Sequence, residues 1–137
     1  NLVTHSSNTR LAEDLALVAR FKPPVVVTAL GSPKPAIEVV HAYGGLVIAD
    51  VISVGLAKKA VAAGADGLAC VCAGAGGHTG FLSPFAFVSA VREFFDGYVI
   101  TGGGIGDGLL DRQIDGLEIM PLFDLADIPP ERRHGLE

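Results

Sequence analysis

Short runs of β-branched residues alternate along the chain with longer segments whose apolar residues recur at helical spacing. In one such segment Leu11, Leu15 and Val18 share a helical face, and Ser7 or Asn8 can cap the helix start. The continuous apolar run at 25–27 is typical of a strand buried on both faces. The pattern predicts strands in NLVTH, PPVVVTALG, LVIADVI, DGLACVC and YVITGGG, and helices in SNTRLAEDLALVARF, KPAIEVVHAYGG, VGLAKKAVAAGA and SPFAFVSAVREFF.

Strands that alternate with helices predict an α/β fold with parallel strands and right-handed crossovers. An open doubly wound sheet and a (β/α)₈ barrel both fit this order. A complete barrel needs about 250 residues, and this chain has 137, with five clear strands and a sixth candidate in LEIM. We therefore expect a barrel to be partial. We divide the chain into a (β/α) segment, residues 1–108, and an atypical polar tail, residues 109–137, which we expect to be a surface extension or a partly disordered end.

Charge and composition exclude several classes of partner. The net charge of −5, without a basic face, argues against nucleic acid. The sequence has no apolar run of membrane-spanning length and no signal peptide, so we expect no membrane association. We interpret Cys70 and Cys72 as small apolar core residues of a reducing compartment, and we expect a cytoplasmic protein. Assembly into a homo-oligomer is left open.

Two glycine-rich segments follow the fourth and fifth predicted strands: AGAGGHTG at 73–80 and TGGGIGDG at 101–108. In parallel α/β folds, ligands bind at the carboxyl ends of the strands. Glycine permits positive φ and lets a ligand approach the backbone, whose N–H groups can then bind an anion. The two segments together indicate a phosphate-binding site, although tight strand-to-helix turns would have the same composition.

His78 and Asp50 are the candidate functional side chains. Glycines around His78 leave room for a flat ligand, and its imidazole can transfer a proton near neutral pH. The alternative is a loop histidine held by a backbone carbonyl. Asp50, at the end of the third strand, either orients a ligand or is simply a polar residue at a strand end. No metal-ligand spacing and no G-x-S-x-G nucleophile elbow is present.

The segments ADGLACVCAGAGGHTG, residues 65–80, and VITGGGIGDG, residues 99–108, resemble the nitronate monooxygenases, formerly called 2-nitropropane dioxygenases. The AGGH-x-G loop with a downstream GGI-x-DG is shared with the FMN-dependent enoyl-acyl-carrier-protein reductases. The resemblance implies a TIM barrel that binds FMN without a covalent bond. It also implies oxidation of alkyl nitronates, small-molecule substrates, by dioxygen to a carbonyl compound and nitrite.

The resemblance also implies roles for individual residues. His78 is expected to be the catalytic base that removes the proton next to the nitro group of a neutral nitroalkane. The residues expected to bind the flavin are Gly76 and Gly77 near its ring, Gly103 and Gly104 at its phosphate, and Asn1 and Asp50 as further contacts.

Two departures from the family pattern affect this interpretation. The family's first strands are absent, and Pro121 and Leu122 stand where the family has Gly-Thr at the end of a later strand. We therefore expect a truncated or frame-altered chain, or one that lacks segments. Two alternatives stay open: an enoyl-acyl-carrier-protein reductase that uses NADH, and an incomplete barrel without catalysis.

Overall fold

The structure is a computed structural model, and it describes residues 1–77 and 79–104. These residues form five strands and four helices in strict alternation. The tail, residues 109–137, and the sixth candidate strand lie outside the described residues. The elements are β1 (Leu2–Val3), α1 (Leu11–Phe21), β2 (Val25–Ala29), α2 (Lys34–His41), β3 (Leu46–Val51), α3 (Val54–Ala63), β4 (Gly67–Val71), α4 (Pro84–Arg92) and β5 (Tyr98–Gly102).

The five strands form one parallel sheet in the order β1-β2-β3-β4-β5. Because each helix connects a strand to its immediate neighbour, right-handed crossovers put all four helices on the same face. A doubly wound sheet would instead reverse its strand order and cover both faces. The described residues are therefore consecutive (β/α) units of a barrel-type fold, which decides between the two architectures that the sequence allows.

The buried core lies between the helices and this one face of the sheet. Alternate strand residues enter it, and Phe87 of α4 and Val40 of α2 are fully buried in it. One cluster lies under α1 and α2 and the other under α3 and α4. The strand residues in the two clusters are Leu2, Val26 and Val47 in the first, and Ala49, Val51, Leu68, Cys70 and Val99 in the second.

The opposite face of the sheet, here called the inner face, is only partly covered. In β2, Val26 and Thr28 are buried, whereas Val25, Val27 and Ala29 are half-buried. The prediction that this strand is buried on both faces is therefore wrong for the described residues. The apolar run in β2 is what a barrel strand needs, since its second face points toward the barrel interior.

The cysteines are confirmed as core residues: Cys70 and Cys72 are both free and fully buried. Burial, with a smaller contribution from the neighbouring Cys72, raises the pKa of the Cys70 thiol to about 12. A thiol with such a pKa is not a nucleophile at neutral pH.

The helix starts agree with the sequence at two helices and differ at one. Ser53 and Ser83 cap α3 and α4 through their side chains, and Pro84 occupies the first turn of α4. At α1 the N-cap position is Arg10, and no side chain caps it. Asn8 instead accepts a hydrogen bond from the Arg10 amide at 3.0 Å. It closes a turn before the helix, because Asn side chains bond the backbone two residues on as readily as they cap.

At the amino end of the sheet, Asp66 connects two neighbouring strands. Its Oδ2 atom accepts hydrogen bonds from the Val47 amide and from Nε2 of His41, each at 2.8 Å. The carboxylate thus ties the start of β3 and the end of α2 to the start of β4.

No helix within the described ranges is long and apolar enough to cross a membrane.

Candidate functional site

The two glycine-rich loops meet at the carboxyl ends of β4 and β5. The strands pair as far as Val71 and Gly102, and the Cys72 amide then donates to the Gly102 carbonyl at 2.8 Å. This parallel pairing brings together two segments that are separated in the sequence by residues 81–100. Both loops were identified from the sequence by their glycine content, and the structure places them in direct contact.

Backbone packs directly on backbone where the loops meet. A Cβ added to Gly74 would lie 3.0 Å from the Gly104 amide nitrogen, and one added to Gly103 would overlap the Ala75 backbone. Gly103 and Gly104 have φ values of +103° and +73°, and Gly74 has +92°. Only glycine adopts these conformations without strain. Gly74 did not figure among the candidate residues, because composition alone does not show which glycines of a loop need positive φ.

The outer surfaces of the loops leave backbone open to a ligand. A Cβ added to Gly76, Gly77 or Gly102 would contact nothing within 4 Å among the described residues. Within that same set, the amides of Gly76, Gly77, Gly103 and Gly104 donate no hydrogen bond. Backbone N–H groups grouped in this way bind anions. The loops therefore fit a phosphate-bearing group that lies close against the main chain.

Thr79 braces the first loop from within. Its Oγ1 hydroxyl donates to the Cys72 carbonyl at 2.6 Å, which ties the end of the loop back to the end of β4. The next residue, Gly80, is buried, and a Cβ there would overlap the Val71 carbonyl and lie 3.0 Å from the Ile52 carbonyl. Sequence reasoning missed both roles. The only available signal in the sequence was a hydroxyl residue directly before a glycine.

Asp50 lies on the inner face, one residue before the end of β3. Its Oδ1 atom is buried and has no hydrogen-bond partner among the described residues. Burial raises the pKa of this carboxyl above its ordinary value. A buried acceptor oxygen without a donor is costly unless a ligand supplies one, so Asp50 stays a candidate ligand contact.

Asn1 lies at the other edge of the sheet from the glycine loops. It is exposed and directly precedes β1, which pairs with β2 through Leu2 and Thr28. Alternation along β1 continues the inner face from Val3 back to Asn1. The structure therefore brings Asn1 and Asp50 to the same face, but it does not bring Asn1 into contact with the glycine loops.

His78, the candidate base, lies outside the described residues. Within the described ranges, no group of three His, Cys, Asp or Glu side chains is arranged to hold a metal ion.

Comparison with known proteins gives a family and several similar structures. Residues 2–116 match the family described as nitronate monooxygenase. FabK from Thermotoga maritima is similar over 79% of this chain and 34% of its own, with 32% identity and a TM-score of 0.67. A point mutant of the same protein has 31% identity and a TM-score of 0.68, over 77% of this chain and 35% of its own. Nitroalkane oxidase from Streptomyces ansochromogenes has 27% identity and a TM-score of 0.65, over 71% of this chain and 32% of its own.

No curated protein matches the sequence. The chain spans about a third of the length of the solved structures it matches. The family match covers most of the chain, including both glycine loops, and the resemblance inferred from their motifs is confirmed. The chain belongs to the nitronate monooxygenase family.

Proposed function

We propose that this chain is the FMN-binding part of a flavin oxidoreductase that oxidises alkyl nitronates with dioxygen to a carbonyl compound and nitrite. The observation that carries the proposal is the junction of the two glycine loops, where four amides without described acceptors lie at the carboxyl ends of adjacent parallel strands. The family membership supports the same chemistry. When bound, FMN would supply an acceptor for electrons from the nitronate.

Each loop has a separate role in this proposal. The amides of Gly103 and Gly104 bind the phosphate, since positive φ at both residues turns their backbone outward from the end of β5. Gly76 and Gly77, which have open space beside them, let the flavin ring approach the main chain. Asn1 and Asp50 are further flavin contacts from the inner face.

His78 is the catalytic base in this proposal, by its place in the AGGH-x-G motif. It takes the proton from the carbon next to the nitro group and so forms the nitronate from a neutral nitroalkane. Replacing it by Asn should leave FMN binding intact and abolish turnover of neutral nitroalkanes. Preformed nitronates should still react. Unchanged turnover of the neutral substrate would remove His78 from the mechanism.

The test of the proposed function is FMN binding by the purified chain, followed by its absorbance spectrum and by the quenching of FMN fluorescence. We expect saturable binding that Gly103→Ala abolishes, because a methyl group there overlaps Ala75. Gly55→Ala is the matched control, since Gly55 lies in α3 with open space around it. Absence of binding at any FMN concentration, or equal binding by both variants, would contradict the proposal.

A second candidate is an enoyl-acyl-carrier-protein reductase, favoured by the shared AGGH-x-G and GGI-x-DG motifs. The two candidates differ in the electron donor. Rapid reduction of the bound FMN by NADH would favour the reductase, whereas reduction by a nitronate without NADH would favour the monooxygenase. The absence of nucleic-acid partners and the cytoplasmic location stay predictions.

A further inference from the structure

Large apolar side chains are exposed after three adjacent strands. Leu30 directly follows β2 and is 61% exposed, and Ile52 directly follows β3 and is 40% exposed. Phe81, in the segment between β4 and α4, is 94% exposed. Because these strands are parallel, their carboxyl ends lie at one edge of the sheet. The three side chains, here called the apolar rim, therefore extend over about 10 Å, or two strand spacings.

The position of the apolar rim distinguishes it from the rest of the exposed apolar surface. Single exposed apolar residues are common in folded proteins. The other large ones among the described residues lie within helices or in the two edge strands: Val3, Leu17, Phe21, Leu56, Phe85 and Tyr98. Of this described set, only the rim residues come after strand ends, and parallel α/β folds bind their ligands there.

Backbone contacts fix the place of Phe81, although its ring is almost fully exposed. The residue before it, Gly80, packs on the ends of two strands, and a Cβ there would lie 3.0 Å from the Ile52 carbonyl oxygen. The residue after it, Leu82, accepts a hydrogen bond at its carbonyl from the Ala73 amide at 2.8 Å. The main chain on both sides of Phe81 is thus held against the ends of β3 and β4, while the ring stays free to contact a ligand.

Leu30 reaches the rim in a backbone conformation that a bulky side chain disfavours. Its φ of +60° lies in the left-handed region, where such a residue is an outlier. The next residue, Gly31, packs so closely on Thr4 that a Cβ there would overlap the Thr4 backbone. The turn is therefore imposed by the chain after β1, and residues held in this way concentrate at ligand sites.

We propose that the apolar rim binds the hydrocarbon chain of the substrate, so that the site favours nitronates with chains of several carbons over the shortest ones. This inference rests on the proposed function and adds the chain length of the substrate to it. In that function the glycine amides bind the phosphate and His78 acts on the reacting carbon, which leaves the hydrocarbon chain to be bound. Phe81 belongs to the same segment as His78. A hydrocarbon chain that lies across the rim removes apolar surface of both from water.

The experiment compares two planar anions that share the charge and shape of a nitronate group, propanoate and hexanoate. Their binding to the FMN-saturated protein is followed by the NMR shifts of the Gly80 and Leu82 amides. We expect hexanoate to bind about tenfold more tightly, because each fully buried methylene contributes about fourfold and the rim covers only one side of the ligand. In Phe81→Ala this preference should fall to about threefold or less, with the propanoate affinity unchanged, whereas Phe81→Leu should retain most of it.

Phe21→Ala is the matched control. It removes an exposed phenyl group at the end of α1, which leads into the amino end of β2, and should leave the preference unchanged. Equal binding of the two probes by the unaltered protein, a preference that survives Phe81→Ala, or binding of neither probe would each overturn the inference. FMN binding is measured separately by fluorescence. If FMN binds and Phe81 does not affect the preference, the inference fails alone. If FMN does not bind, the proposed function fails and the inference fails with it.

Discussion

Gly74 lies against Gly104, so closely that a Cβ on Gly74 would lie 3.0 Å from the Gly104 amide nitrogen. Both residues have positive φ. The contact joins the loop after β4 to the loop after β5 through main chain alone. A side chain at either position would push the loops apart, so this contact explains why glycines occur in both segments and ties the conformation of one loop to that of the other.

The first prediction concerns the stability of this junction. Gly103→Ala should lower the free energy of unfolding by ~1–3 kcal/mol, because it combines a φ of +103° with an overlap on Ala75. Urea unfolding followed by circular dichroism measures the change. Gly55→Ala, in the first turn of α3 with open space around it, should instead be neutral or slightly stabilising. Similar effects from both substitutions would show that the junction does not constrain the fold.

The second prediction concerns the hydroxyl of Thr79. Its hydrogen bond to the Cys72 carbonyl ties the end of the first loop to the sheet. Thr79→Val keeps the shape and removes the donor, so it should weaken FMN binding several-fold through a looser loop. Thr79→Ser keeps the donor and should bind FMN nearly as well as the unaltered chain. Fluorescence titration measures both affinities, and an equal loss in the two variants would assign the effect to packing instead.

The third prediction concerns the pH dependence of stability at Asp50. Burial raises the folded-state pKa of this carboxyl, so folding favours its protonated form. The stabilisation from this group is fully present below its unfolded pKa and is lost as the pH rises through its raised folded pKa. Asp50→Asn should therefore raise stability near neutral pH and flatten the stability profile in that acidic window.

Denaturant midpoints measured from pH 4 to pH 8 test this expectation. Asp96→Asn is the control, since Asp96 is exposed, and its profile should follow that of the unaltered chain. If the denaturant midpoints of Asp50→Asn and of the unaltered chain change in parallel with pH, burial does not shift the pKa of Asp50.

The fourth prediction concerns Asp66 at the amino end of the sheet. Its Oδ2 atom accepts from both the Val47 amide and His41 at 2.8 Å. Asp66→Ala should cost ~1–3 kcal/mol of stability, because it leaves the Val47 amide without its acceptor. His41→Ala removes only the more exposed of the two donors and should cost less. Urea midpoints of the two variants check the order, and the reverse order would mean that the histidine contact carries the stabilisation.

Local patterns predicted the elements well, as two segments show. The apolar spacing of Leu11, Leu15 and Val18 gave α1, and the start of α4 at Pro84 followed from its sequence. The error at α1 was one of position: Asn8 bonds the Arg10 amide instead of capping the helix. The same side-chain oxygen of Asn8 can accept a hydrogen bond from an amide in a turn or from an amide at the start of a helix. Which of these amides it bonds depends on the path of the chain between β1 and α1.

The candidate site was predicted in part. The glycine loops were identified because their composition is unusual at the ends of two strands. The bracing by Thr79 and the close packing of Gly80 were missed, because both depend on contacts with the end of β4 that no spacing in the sequence encodes. Asp50 was named from its position at the end of β3, and the structure adds that its buried Oδ1 atom has no hydrogen-bond partner within the described ranges.

The sequence by itself determined the alternation of strands and helices and the two glycine-rich loops, since periodicity and glycine content are local properties of the chain. Only the tertiary structure decided that the four described helices cover one face, that Gly74 meets Gly104, and that Asp50 lies on the other face with an Oδ1 atom that has no hydrogen-bond partner among the described residues. These features depend on the order and register of parallel strands. That order arises from hydrogen bonds between residues far apart in the chain, which a local pattern cannot specify.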